Sequence, residues 1–301
     1  MSLQIFVVET SLAQCIPRYR GADKGLNVEH LQQVCFKSVN QAFVDAIPNP
    51  WPVNLVTDKQ DLQILRECGL LVADILDTVS AAVAPGVSTG ELDQMAASMI
   101  EAAGALSAPR KVYNFPGSIC ISLNDEAVHG IPGERKVQAG DLVKVDVTVE
   151  YQGWITDAAR TVVVGPSDPQ AEQLARCSET ALLKALSLAR EGRALWEIGL
   201  AVESVVKRAG FRVLRQLCGH GVGRSIHESP VVPNFYDRRY KDKLRAGQVI
   251  TIEPILALST EEIVTDPDGW TLRTRDGSVS AHFEHSLLIT QREPIILTLK
   301  P

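Results

Sequence analysis

Four acidic residues lie in stretches where a carboxylate is costly to keep. Asp146 sits in Val145-Asp146-Val147-Thr148, and Asp157 follows eleven residues later. Glu253 interrupts the apolar run Val249-Ile250-Thr251-Ile252-Glu253-Pro254-Ile255. Glu284 does the same in Ser280-Ala281-His282-Phe283-Glu284-His285-Ser286-Leu287. A glutamate buried in a strand must be paired or bind a cation. His220 is framed by glycines in Gly219-His220-Gly221-Val222-Gly223, and His227 follows seven residues on. Glycines on both sides allow the backbone to approach a ligand closely. One economical explanation gathers the four carboxylates and the imidazole around two divalent cations, whose charge offsets the four negative charges.

The elements that must position these groups are legible in outline. Alternation over 142–151 and 154–164, with Gln152-Gly153 between, predicts a hairpin. Lys144, Asp146, Thr148 and Glu150 then share one face, and Val143, Val145, Val147 and Val149 the other. Thr148 faces Asp157 across the ladder. Asp146 becomes the diagonal neighbour of Asp157, about 7–8 Å away or somewhat less. Two carboxylates so placed repel unless a positive charge lies between them; for this pair alone, solvated strand aspartates are the other reading. Leu62, Leu65, Val72, Leu76, Val79 and Val83 recur at helical spacing, with Asp58 as N-cap and Pro85-Gly86 as stop. A second helix runs from Ser88-Thr89 to Gly104. Further helices are expected near 168–191 and 195–209, and strands at 118–123, 211–217, 249–258 and 280–290. Helices, strands, helices, strands is the order of a duplicated α+β half, although no sequence repeat is visible.

The chain has 301 residues, 45% of them hydrophobic and 22% charged, with a net charge of −6. That composition excludes global disorder and argues against direct nucleic-acid readout. The six cysteines, at 15, 35, 68, 120, 177 and 218, form no CxxC motif and read as free thiols of a reducing compartment. No secretory signal and no apolar run long enough to span a membrane is read from the sequence, so the expected location is cytoplasmic. Residues 1–57 differ in character. They include a candidate helix at 32–46 and end in an extended strap around Pro48, Pro50 and Pro52.

On these motifs the chain resembles the type I methionine aminopeptidases of the pita-bread metallopeptidase family. The resemblance rests on Asn124-Asp125-Glu126-Ala127-Val128-His129-Gly130-Ile131-Pro132 and Val145-Asp146-Val147-Thr148. It rests equally on the eleven-residue step to Asp157, the GHGVG at 219–223, the TIEP at 251–254 and the FEH at 283–285. It covers about residues 58 to 297 and leaves the 1–57 extension outside. It implies an α+β pita-bread (creatinase/aminopeptidase-like) fold with pseudo-two-fold related halves, and a catalytic domain over 58–301.

The resemblance further implies that Asp146, Asp157, His220, Glu253 and Glu284 hold two divalent ions (cobalt, manganese, iron or zinc), with Asp157 and Glu284 reaching both. His129 and His227 would contact the substrate and the developing tetrahedral centre. Glu253 would also handle the proton of the attacking water. Phe115, Cys120 and Trp270 would line the methionine pocket, and a monovalent cation would lie near Asn124. The implied reaction is hydrolysis of the first peptide bond of a peptide or nascent chain, releasing methionine. Residues 1–57 would be either a plain extension or a docking segment for the ribosome or another protein.

Several positions depart from the family pattern. Ile155-Thr156 stand where His-Gly usually precedes the second aspartate, and Ala158 follows it. Ile226 replaces a common Phe. Pro109 and Val112 replace a Cys and a Tyr, with Tyr113 one place along. These changes fall around the side-chain pocket and not on the metal ligands. An altered N-terminal residue preference is therefore carried as an alternative, beside a prolidase-like activity and a non-catalytic binding module on the same fold.

Overall fold

The computed structural model describes residues 54–300. The helix expected at 32–46, the strap's prolines and most of the 1–57 extension lie outside the described residues. The described end of that extension is attached to the domain. Leu55 bridges Gln248, and the Asn54 amide donates to Glu228 Oε1 at 2.8 Å.

Helix α1 (Lys59–Ala82) starts at Asp58, whose carboxylate accepts from the Asp61 N–H. Helix α2 (Thr89–Ala102) starts at Ser88 with Glu91 completing a reciprocal capping box. Short β1 (Leu106–Ser107) and α3 (Ala108–Tyr113) lead to β2 (Cys120–Leu123) and β3 (Glu126–Val128). The hairpin of β4 (Leu142–Tyr151) and β5 (Trp154–Val163) has the expected register, including Thr148 opposite Asp157. Gln152 (φ 50°) and Gly153 (φ 79°) are both left-handed, as a two-residue hairpin turn requires. The four odd-numbered valines of β4 are fully buried against Val72, Ile75, Leu76 and Val79 of α1. Burial of one such side chain contributes about 1.5–3 kcal/mol.

The second half repeats this plan. Helices α4 (Pro169–Leu186) and α5 (Leu195–Ala209) cover a second set of strands. These are β6 (Arg212–Val213), β7 (Gly219–Gly221), β8 (Glu228–Val232), β9 (Val249–Ile252), β10 (Ile255–Ala257), β13 (Ser280–His282), β14 (His285–Leu288) and β15 (Ile295–Ile296). A small sheet of β11 (Ile263–Thr265) and β12 (Leu272–Thr274) joins β3. The expected duplicated α+β plan is therefore observed.

Three strand expectations are corrected. The strand expected at 211–217 is only Arg212–Val213. Those expected at 249–258 and 280–290 are each cut in two, at Glu253-Pro254 and at Phe283-Glu284. The cause is a change of sheet. β9 and β14 pair in the sheet that holds β7, whereas β10 and β13 pair in the sheet that holds β6. Pro254 also has no N–H to give a continuous ladder.

Candidate active site

Each half brings two carboxylates to the interface between the sheets. On β4 and β5, Asp146 is opposite Ala159 and Asp157 is opposite Thr148, which makes the aspartates diagonal neighbours. The Thr148 hydroxyl donates to Asp157 Oδ1 at 2.8 Å. In the other half, Ile252 is opposite His285 and Ile255 is opposite His282. That register puts Glu253 directly across from Glu284 in the gap between sheets. The Thr251 hydroxyl donates to Glu253 Oε1 at 2.8 Å.

A seam along β5 joins the halves. The Thr161 hydroxyl accepts from the His282 N–H and donates to the His282 carbonyl, both at 2.8 Å. Ala159 and Glu284 exchange both backbone hydrogen bonds. The Ser286 hydroxyl accepts from the Asp157 N–H and donates to the Asp157 carbonyl, again both at 2.8 Å. The three contacts advance two residues at a time, so Glu284 is fixed to the strand that carries Asp157.

His220 enters from β7. A Cβ at Gly219 would stand 2.6 Å from the Thr251 carbonyl oxygen, and one at Gly221 would stand 2.3 Å from that of Ser229. The flanking glycines therefore let neighbouring strands, and not the ligand expected from the sequence, close on β7. His220 Nδ1 lies 2.9 Å from the Gly221 carbonyl, which places its proton there. Nε2 is left facing Glu253 Oε1 at 3.4 Å with a lone pair, the form in which imidazole binds metal.

A cavity of about 120 Å³ is lined by Asp146, Asp157, His220, Glu253 and Glu284, and by His129 and His227. Ligand atoms of Asp157, His220 and Glu284 all lie within 4.8 Å of one another. Burial, then mutual repulsion, pushes Asp146 and Glu284 well above the usual carboxylate range. Burial likewise raises Glu253 well above it and takes Asp157 up to about 7. Such a group must take up protons or cations, and this donor set of hard oxygens and one nitrogen fits divalent ions. Burial lowers His129 and His220 to about 4, and His227 well below its ordinary value, so all three imidazoles are neutral.

His129 follows β3 in the left-handed region (φ 59°), and a Cβ at Gly130 behind it would stand 2.3 Å from the Ile121 carbonyl oxygen. His227 lies beside His220 with ring centroids 4.4 Å apart and the ring planes tilted by 59°. Its Nδ1 shares a 2.5 Å hydrogen bond with the Tyr113 hydroxyl. Cys120 lines the cavity, as do Pro109 and Ile226. Phe115 and Trp270 do not; they form an edge-to-face pair at 5.3 Å outside that lining. Val112 packs in the adjoining apolar cluster with Tyr113 and Trp270. Burial, then the Asp146 and Asp157 charges, holds the Cys120 thiol well above its ordinary pKa, so it stays protonated and is no nucleophile. Cys68, Cys120, Cys177 and Cys218 are all free thiols.

Sequence reasoning missed His282 and Tyr113. His282 is 2% exposed and lines the cavity, with Nε2 3.6 Å from Glu284 Oε2 and 3.9 Å from Glu253 Oε2. Its alternate spacing from Glu284 was the available signal. No local pattern marks Tyr113 as the partner of a residue 114 positions away. Near Asn124, the carbonyl oxygen accepts from Lys144 Nζ at 2.7 Å. Burial pulls Lys144 down to about 7, while Glu126 and Asp125 oppose that pull.

Comparison with known proteins agrees with this geometry. The model of metallopeptidase family M24 matches residues 63–291. Methionine aminopeptidase 2 of Bacillus subtilis (strain 168) is 41% identical over 246 residues, covering 81% of this chain and 99% of that protein. The Escherichia coli (strain K12) methionine aminopeptidase is 39% identical over 243 residues, covering 80% and 92%. The crystal structure of methionine aminopeptidase from Rickettsia prowazekii superposes with a TM-score of 0.79 at 34% identity, covering 82% of this chain and all of that one. Prolidase from Pyrococcus furiosus shares the fold, with a TM-score of 0.64 at 20% identity over 82% of this chain and 66% of its own. The chain thus belongs to metallopeptidase family M24, among its methionine aminopeptidases.

Proposed function

We infer that this protein is a metal-dependent aminopeptidase that hydrolyses the first peptide bond and releases N-terminal methionine. The observation that carries the reading is the meeting of Asp146, Asp157, His220, Glu253 and Glu284 in one cavity with two further neutral imidazoles. Those five residues would hold two divalent cations; manganese, iron, cobalt and zinc all suit the donor set. Bound there, the cations supply Lewis-acid activation of water and of the scissile carbonyl.

The remaining steps belong to side chains. Glu253, which bound cations would keep ionised despite its burial, would take the proton of the attacking water and pass it to the departing amine. Neutral His129 and His227 donate to the substrate carbonyl oxygen and to the peptide nitrogen side. Tyr113 orients His227. Cys120, Phe115 and Trp270 are assigned to the methionine side chain, Cys120 from the cavity wall and the aromatic pair from behind it. The family resemblance implies a monovalent cation near Asn124, whose carbonyl oxygen here accepts from Lys144 Nζ. The substrate is the free N-terminus of a peptide or nascent chain in the cytoplasm. Residues 1–57 are assigned as a separate extension, open to a ribosomal or protein partner.

A second reading is favoured by one observation: Pro109 and Ile226, two of the departures from the family pattern, both wall the cavity. They would reshape the side-chain pocket toward another N-terminal residue. Hydrolysis of Met-Ala-Ser against Leu-, Ala- and Pro-led tripeptides, with metal and with chelator, separates the readings. Metal-dependent cleavage greatest for Met-Ala-Ser is expected. Cleavage of another peptide in its place would establish the altered pocket, and no cleavage of any would remove the aminopeptidase.

A further inference from the structure

Lys144 is a buried cation with no carboxylate of its own. It stands on β4 two residues before Asp146 and is 1% exposed. Its Nζ lies 2.7 Å from the Asn124 carbonyl oxygen, 3.1 Å from Ser280 Oγ and 3.3 Å from the Ser280 carbonyl oxygen. The neighbouring acidic groups are engaged elsewhere. Asp125 pairs with Arg273, and Glu126 pairs with Arg135 and Arg273. Three acceptors around one nitrogen match the three N–H groups of an ammonium, whereas a neutral amine has two.

The acceptors come from two segments besides β4. Asn124 opens the turn into β3, which delivers His129. Ser280 opens β13, which leads to His282 and Glu284. The Ser280 hydroxyl also reaches the Asn124 and Glu126 carbonyls, at 2.9 and 3.2 Å. Converging uncharged oxygens of this kind, buried and without a carboxylate, are the surroundings in which potassium or sodium ions sit in proteins, held by carbonyl dipoles. An ammonium has a similar radius and the same charge.

We propose that Lys144 is a built-in monovalent cation, whose ammonium occupies a carbonyl-oxygen site and ties the segments carrying Asp146, His129 and Glu284 without any alkali ion. Lys144 acts here as a positioning residue. Only the activity arm of its test rests on the aminopeptidase reading; the unfolding arm stands without it.

The test is thermal unfolding of the full chain, metal-loaded, in potassium, sodium or choline chloride at equal ionic strength and one fixed pH. The wild-type midpoint is expected to be the same in all three. Lys144→Met is expected to unfold several degrees lower in choline and to recover saturably as potassium, sodium or ammonium is added. Bound divalent metal and Met-Ala-Ser turnover should recover with it. Lys144→Gln, which keeps a polar tip, serves as the second variant and should show the same ion response. A saturable rise of the wild-type midpoint with potassium or sodium would overturn the proposal, because the site would then be open to ions. So would the absence of an ion-specific response in both variants, including variants that fold in none of the salts. Ion rescue of stability without any peptide hydrolysis would leave the proposal standing and remove the aminopeptidase reading instead.

Discussion

Glu253 lies directly across from Glu284, in a gap where both of their strands leave one sheet for another. Like charges placed opposite each other in a ladder are destabilising. Here both are also buried, at 8% and 2% exposure, which raises the cost of ionising either. The arrangement is therefore stable only when protons or cations sit among the carboxylates. Affinity for metal and instability without it have one origin.

Replacing one of these carboxylates should separate the two effects. In the metal-free protein, Glu284→Gln is expected to raise the unfolding midpoint, because a neutral amide of the same shape avoids the cost of burying an acid that must be protonated on folding. The same change should weaken divalent metal binding about 10-fold or more. Calorimetric metal titration and thermal unfolding in chelator check both, and a lower metal-free midpoint would contradict the account.

Chelation should also give the protein a pH dependence that the loaded form lacks. Asp157 is raised from 3.8 to about 7 in the folded, metal-free chain. A group with a raised folded pKa favours folding below its unfolded value, and that contribution is lost as pH rises through the folded value. With chelator, the midpoint should fall as pH increases from about 4 to 7. With saturating metal the carboxylates stay ionised, and this slope should disappear. Equal slopes with and without metal would place the titration elsewhere.

Tyr113→Phe removes one hydroxyl and the 2.5 Å hydrogen bond to His227 Nδ1. Loss of such an orienting partner lowers activity about 10–100-fold. The loss should appear in kcat, with two equivalents of metal still bound. His129→Ala should likewise lower turnover far more than metal occupancy. Metal analysis beside steady-state kinetics separates these from true ligands; Asp157→Asn, by contrast, should lose metal directly.

The seam between the halves predicts a stability effect remote from the reacting groups. Ser286→Ala removes the hydroxyl that both accepts from and donates to the Asp157 backbone, leaving these buried groups without that partner. A cost of about 1–3 kcal/mol follows from one buried group left unsatisfied. Denaturant unfolding measures it. Metal affinity should fall as well, because Asp157 and Glu284 are no longer held in register. A variant with lowered stability and unchanged metal affinity would show that the seam does not align the ligands.

The local geometry of the site is legible in the order of residues. Alternation on β4 and a two-residue turn with both residues left-handed give one register, and that register alone makes Asp146 and Asp157 neighbours. Glutamates within apolar runs announced that something positive must meet them. How the halves come together depends on contacts between distant segments. The contacts of Thr161 with His282, Ala159 with Glu284 and Ser286 with Asp157 span more than 120 residues of chain and leave no local period. The strand breaks at Glu253 and Glu284 were hidden for the same reason. Side-chain alternation records which face is buried, but not which sheet a strand joins. Likewise, spacing puts Lys144 on the Asp146 face, yet its oxygen cage comes from Asn124 and Ser280, which folding alone brings to it.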